Sequence, residues 1–273
     1  MMESKGTTPT ESVDALIIGA GFAGLYMLHK LRLQGLNAKI VEAGSGVGGT
    51  WFWNRYPGAR CDIESLEYSY QFSEELQQEW EWPERYSTQP EILKYVNHVA
   101  DRFELRDDIY FDTRVVANHF NDATQRWDVS TDSEKTFTAR FCVMATGCLS
   151  STNTPNFEGL GSFRGPTYHT GQWPHHDIDF SGQRVGIIGT GSSGVQAIPV
   201  IAEQAKHLTV FQRTPNFSVP ARNEPLDPET EKSVKADYAG FRELANAAPF
   251  AANFVVNEKT ALECSQEERN AEY

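Results

Sequence analysis

Apolar and polar positions along the chain switch between the periods of strands and helices. Asp14–Ala20 (DALIIGA) is a short apolar run that predicts a buried strand. A glycine-rich stretch follows at once, Leu25–Leu33 carries apolar residues at helical spacing, and Gly35 ends that helix. Ala38–Val41 reads as a second strand closing on Glu42, which completes a β–turn–α–β unit. A polar, aromatic-rich section runs from Gly44 to about Tyr86, and Pro90–Phe103 reads as a helix. Three short strands are expected near Ile109–Val116, Arg126–Ser130 and Thr136–Met144. Turn residues separate them, so they suggest a small antiparallel insert at 109–144. Ser150–Gly161 is rich in Ser, Asn, Pro and Gly and reads as a domain boundary. A second β–turn–α–β unit follows: strand Arg184–Ile188, turn Gly189–Gly194, helix Val195–Gln204 and strand Leu208–Phe211. Asp227-Pro228-Glu229 is a helix start, with an acid at the cap and proline at the first helical position. Val234, Tyr238, Phe241, Ala245 and Ala248 share one face of that helix, and Pro249 ends it. The division expected is a polar flexible leader over 1–12, one domain over 13–150, and a linker with a second domain over 151–273.

Composition narrows the classes. The apolar fraction of 40% is enough for a real core. A run of about 18 apolar residues, the minimum for a membrane span, is absent. A net charge of −13 without a basic cluster argues against nucleic acid and anionic membrane as partners. Cys61, Cys142, Cys148 and Cys264 form no CxxC and no zinc-finger spacing, which fits free thiols in a reducing cytoplasm. His175 and His176 are adjacent, and neighbouring residues do not readily face one metal, so no metal site is assigned.

The chemistry lies in the two turns. Gly19-Ala20-Gly21-Phe22-Ala23-Gly24 follows a strand, opens a helix, and has an acid at the end of the next strand. Gly19 would make the tight turn, Gly21 would let backbone approach a pyrophosphate, and Gly24 would let the helix pack on the sheet. The helix N-terminus offers free N–H groups and partial positive charge to phosphate, and Glu42 would accept hydrogen bonds from a ribose. This turn alone does not separate FAD from NAD. Gly189-Thr190-Gly191-Ser192-Ser193-Gly194 repeats the pattern. Glu42 lies eighteen residues after Gly24; eighteen after Gly194 stands Gln212, followed by Arg213 and Thr214. An acid there would repel a 2′-phosphate, whereas arginine can bind it through paired hydrogen bonds, so the second turn is expected to take NADPH in preference to NADH. The fold class is therefore α/β, with two Rossmann-like dinucleotide-binding domains.

Two further segments resemble a known family. The string GGTWFWNRYPGARCDIES, from Gly48 to Ser65, is similar to that of flavin-dependent Baeyer–Villiger monooxygenases. Phe163-Arg164-Gly165-Pro166-Thr167-Tyr168-His169-Thr170-Gly171-Gln172-Trp173-Pro174 fits their fingerprint FxGxxxHxxxW(P/D). The resemblance implies FAD at the first turn, contacted by Gly19, Gly21, Phe22, Ala23, Gly24, Glu42, Thr50 and Trp51. It implies Asp62 beside the isoalloxazine ring as the catalytic acid residue, and Tyr68 near it. It implies NADP at the second turn, contacted by Thr190, Gly191, Ser192, Ser193, Gly194, Gln196, Arg213 and Thr214, with Arg60 among the contacts. Phe163, Gly165, His169 and Trp173 would form a linker coupling domain movement; a lone histidine such as His169 is more often structural than a base. The implied reaction joins NADPH, O2 and a ketone to give an ester or lactone through a flavin peroxide. Family members continue beyond the length of this chain, and the resemblance puts an active-site arginine past residue 273, so the second domain is expected to be incomplete. N- or S-oxidising flavin monooxygenases share FxGxxxH but usually lack the Trp-Pro pair. A disulfide reductase would need a redox cysteine pair. A non-catalytic dinucleotide-binding fragment is the remaining alternative.

Overall fold

In chain order the elements are β1 (Glu11–Ile18), α1 (Phe22–Leu33), β2 (Ala38–Val41), α2 (Thr50–Trp53), α3 (Glu74–Glu79), α4 (Gln89–Arg102), β3 (Ile109–Tyr110), β4 (Val115–Asn121), β5 (Arg126–Thr131), β6 (Thr136–Met144), β7 (Arg184–Ile188), α5 (Ser192–Gln204), β8 (His207–Phe211), α6 (Pro228–Ala236), α7 (Tyr238–Ala247) and α8 (Gln266–Glu272). The structure is a computed structural model and describes residues 10–218, 220–248, 251–253 and 259–272. Its contacts divide the chain into two units, Met1–Arg60 with Thr88–Ala221, and Cys61–Ser87 with Arg222–Tyr273. Both β–turn–α–β repeats lie in the first.

That first unit is built on a six-stranded sheet of order β3-β2-β1-β6-β5-β4. β1 runs parallel to β2 on one side and to β6 on the other. Strands of a parallel sheet covered on both faces read as continuous apolar runs. Accordingly Val13, Ala15, Leu16 and Ile17 are all buried, and Leu16 packs with Val41, Val129, Phe137 and Ala139. α4 buries Ile92, Tyr95, Val96, Val99 and Ala100, the one-sided spacing that a surface helix requires. β7 and β8 form a separate parallel pair. Val185, Ile187 and Leu208 pack there against the cluster of Trp173, Phe180, Ala197 and Ile201, whose last two members belong to α5.

The second unit holds α3, α6, α7 and α8. Buried Arg242 of α7 organises it, donating to the Glu67 carbonyl at 2.7 Å and to Ser69 Oγ at 2.6 Å while lying over the rings of Tyr238 and Phe241.

Four expectations need correction. The flexible leader falls largely on residues 1–9, outside the described residues, but its last two, Glu11 and Ser12, are strand and pair with Phe137 and Thr138. The strand expected over Ile109–Val116 is two strands, with Asp112 at φ 48 between them; β3 pairs with β2, and β4 with β5. The antiparallel insert is not separate, because β6 pairs with β5 on one edge and with central β1 on the other, which fuses it into the main sheet. The single helix through Val234 to Ala248 is broken at Asp237 (φ −145, ψ 63), whose carboxylate accepts from Gly240 N at 2.9 Å and starts α7 anew. Aspartate favours such caps over helix interiors because its side chain competes for nearby backbone N–H groups. Pro249 lies outside the described residues.

Candidate functional site

α1 begins at Gly21 without a side-chain cap and without an acid in its first turn, and α5 begins at Gly191 in the same way. Three other helices satisfy one of these groups internally, through Ser73 at α3, Asp227 at α6 and Asp237 at α7, whereas α4 also lacks a side-chain cap but carries the acid Glu91 in its first turn. An uncapped N-terminus keeps its first N–H groups and its partial positive charge available to an anion.

Sterics fix each turn. Gly19 has φ +108, and a Cβ on it would meet the Ala145 carbonyl oxygen at 2.6 Å. A Cβ on Gly24 would stand 1.9 Å from the Gly19 carbonyl oxygen. So Gly24 is required for the helix to start against its own turn, which adds a reason to the expected packing on the sheet. The second turn repeats this lock, with a Cβ on Gly194 at 2.6 Å from the Gly189 oxygen. At Gly191 a Cβ would meet nothing within 4 Å, which leaves open space where a pyrophosphate would lie. At Gly21 the nearest atom is the Gly49 Cα at 3.5 Å. The Gly48-Gly49 segment therefore closes over the first turn, with Gly48 N donating to the Ala20 carbonyl at 3.0 Å.

The strand ends differ as their sequences do. Glu42 is only 5% exposed. Its Oε2 accepts from Ala20 N and its Oε1 from Gly44 N, both at 2.7 Å. An ionised carboxylate has about four acceptor positions, so two remain for ribose hydroxyls. Glu42 thus has a role that its sequence position did not announce: it ties the phosphate turn to the loop after β2. Gln212, its counterpart, donates to Thr190 Oγ1 at 2.8 Å, and Arg213 and Thr214 are exposed.

Phe22 and Ala23 form the first helical residues of α1, with Ala23 exposed and Phe22 half-buried. Ser192 and Ser193 open α5 in the same way. Thr50 and Trp51 start α2; Trp51 is buried, and its carbonyl accepts from Gln89 Nε2. Gln89 was not anticipated, and nothing in its sequence setting marks it. Phe52 packs over Gly44 and Gly46 and meets the ring of His175 edge-on at 5.0 Å. Burial first, and then the Arg55 guanidinium, hold the His175 imidazole below its usual range. Gln196, expected at NADP, has its amide engaged elsewhere in the first unit. Its Oε1 accepts from Tyr56 Oη at 2.9 Å and from Arg60 N at 3.3 Å, and its Nε2 donates to the Arg60 carbonyl at 3.1 Å. In the signature, Trp173 is buried, Phe163 is exposed, Gly165 lies beneath the Phe163 ring, and His169 Nδ1 accepts from Gly171 N at 3.1 Å.

Asp62 and Tyr68 belong to the second unit. Asp62 is exposed and Tyr68 half-buried. Burial pushes the neighbouring Cys61 thiol up to about 11, so this cysteine stays protonated and a poor nucleophile.

The model of the family described as pyridine nucleotide-disulphide oxidoreductase matches residues 16–259. The chain belongs to this family. It is 49% identical to a Baeyer–Villiger monooxygenase of Pseudooceanicola batsensis, over 94% of this chain and 47% of that protein. It is 42% identical to phenazine N-monooxygenase PhzNO1 of Lysobacter antibioticus, over 94% of this chain and 47% of that one. Among solved structures, an oxidised steroid monooxygenase bound to NADP superposes with a TM-score of 0.89 at 56% identity, over 95% of this chain and 50% of that one. OTEMO in complex with FAD and NADP superposes with a TM-score of 0.88 at 40% identity, over 96% and 51%. The resemblance to Baeyer–Villiger monooxygenases and the α/β dinucleotide-binding fold are therefore borne out. The chain spans about half the length of the relatives it matches.

Proposed function

We propose that this chain is the FAD- and NADPH-binding portion of a monooxygenase that uses O2 to convert a ketone into an ester or lactone. The observation that carries the reading is the pair of uncapped, glycine-locked helix starts with unlike strand ends. Buried Glu42 suits a ribose with free hydroxyls, whereas the exposed Gln212-Arg213 pair suits a ribose bearing a 2′-phosphate. Residues 13–150 would hold FAD, and 151–273 would form the linker and part of the NADP domain. Thr50 and Trp51 would lie against the flavin, and Arg60, Thr190, Ser192, Ser193, Arg213 and Thr214 would hold NADP. Bound flavin supplies hydride acceptance and oxygen activation. The chain's own groups would bind its phosphates at the first turn and fix its ribose through Glu42. His169 serves as a backbone cap in the linker, the segment that also carries Phe163, Gly165 and Trp173. Four free cysteines without a CxxC fit a reducing cytoplasm and leave disulfide reduction without its redox pair.

Incubating the full-length protein with NADPH, O2 and a panel of ketones, sulfides and amines tests this. Esters or lactones from ketones are expected. NADPH oxidation without ester, from every ketone offered, would count against it. The similarity to a phenazine N-monooxygenase favours N-oxidation as the second reading, and N-oxides formed in place of esters would establish that one.

A further inference from the structure

α5 carries the second phosphate turn at its N-terminus and, one turn further on, a clasp. The Gln196 side chain makes three hydrogen bonds to the loop before Asp62, one to Tyr56 Oη and two to the Arg60 backbone. Its own backbone takes part too. Gly58 sits at φ +77 with its Cβ position 2.3 Å from the Gln196 carbonyl oxygen, so this loop and this helix turn fit together only through a glycine. Tyr56 also packs against the cluster that contains Ala197 and Ile201 of α5 and signature Trp173. A helix turn is stiff, and side chains packed on it move with it. The Gly189–Gly194 turn and the Tyr56–Arg60 loop therefore both bear on α5, one at its N-terminus and one a turn further on.

We propose that Gln196 is a positioning residue that reports dinucleotide occupancy of the second turn to the Tyr56–Arg60 loop, and so to the chain entering Asp62. This rests on the second turn binding NADP, as proposed above. Gln196 then acts on the loop and not on the nucleotide, in contrast to its expected place among the NADP contacts. A site that orders a neighbouring loop on binding couples the two by a factor of roughly 5 to 150.

Amide hydrogen exchange read by mass spectrometry on the flavin-loaded full-length protein, with and without saturating NADP+, tests the proposal. Exchange at residues 56–61 is expected to slow by roughly fivefold or more on binding. In Gln196→Ala that added protection should disappear, while NADP+ affinity, read by calorimetry, changes less than about threefold. Tyr56→Phe keeps the ring and loses one bond, so it should give an intermediate result, and it serves if the alanine variant fails to fold. Protection that persists in both variants would overturn the proposal. So would a Gln196→Ala variant that retains protection at saturation but binds NADP+ tenfold or more weakly, since that describes a direct contact. Failure of the wild-type protein to bind NADP+ would overturn the parent reading as well, whereas binding without protection would overturn the coupling alone.

Discussion

Glu42→Gln separates the two roles of the strand-end acid. In the folded chain both carboxylate oxygens accept from backbone N–H groups, Ala20 and Gly44, at 2.7 Å each, and the residue is 5% exposed. An amide keeps one acceptor and replaces the other with a donor, whichever way it is turned. One backbone N–H then faces an NH2 group in a buried place. Losing a hydrogen bond to a charged acceptor costs about 1.5–3 kcal/mol, and the stranded N–H adds to this. Removing a buried charge offsets part of it. A net loss of about 2–3 kcal/mol is expected, and at 2–4 °C per kcal/mol the melting temperature should fall by roughly 4–12 °C. The loss should appear in flavin-stripped protein, because the strut exists without ligand. Flavin affinity should fall by a further 10- to 100-fold or so through the ribose contacts. Calorimetric melts of apoprotein and flavin titrations by fluorescence quenching measure the two effects separately. An apoprotein melt that does not move, together with lost flavin affinity, would refute the structural role and leave Glu42 a ligand contact alone.

Arg213→Ala should raise the KM for NADPH roughly 10- to 100-fold, the value of a charge-assisted hydrogen bond, and leave NADH nearly untouched; equal changes for both nucleotides would remove the 2′-phosphate from the argument. Trp173→Ala should lower stability by about 3–5 kcal/mol in urea unfolding, because it empties a buried site in the cluster that joins Tyr56 to α5. Stability should fall as pH drops from about 7.5 to about 5.5. His29 and His175 both titrate below their usual 6.5 in the fold, chiefly through burial. The unfolded chain therefore binds more protons in that window, and the contribution is full above 6.5 and lost as pH falls through the lowered values. Melts of His29→Gln/His175→Gln should show a flatter profile, and an unchanged profile would assign the loss to carboxylates.

The two glycine turns, the helices they open and the Asp227 cap were legible because each is decided largely within a few neighbours. Gly24 is constrained by the carbonyl of Gly19 in the same turn, and Asp227 caps the helix it precedes, accepting from Thr230 N at 2.9 Å. The break at Asp237 was hidden because the apolar face of α6 carries on in phase into α7, while a single cap interrupts it. The clasp was hidden for another reason. Tyr56 and Gln196 lie 140 positions apart, and one polar contact leaves no periodic trace in either segment. The same holds for β6, whose alternation describes a strand without naming its partner. For the flavin portion of the site, phosphate chemistry could be read from the sequence, but the double duty of Glu42 could not, since a buried acid and an exposed one look alike in a string of letters.

The central place of β1 has a consequence for how the chain is made. Its partner β2 leaves the ribosome soon after it, but its other partner, β6, does not. Thr10 and Thr136, which share a hydrogen bond of 2.9 Å across this pair, are 126 positions apart. At cellular synthesis rates the second partner arrives on the order of ten seconds later. For that interval a central strand that buries Val13, Ala15, Leu16 and Ile17 has an open edge, the state in which nascent chains aggregate or engage chaperones. Solubility on expression should therefore respond to translation speed between residues 42 and 136 more than to the same change downstream of residue 144.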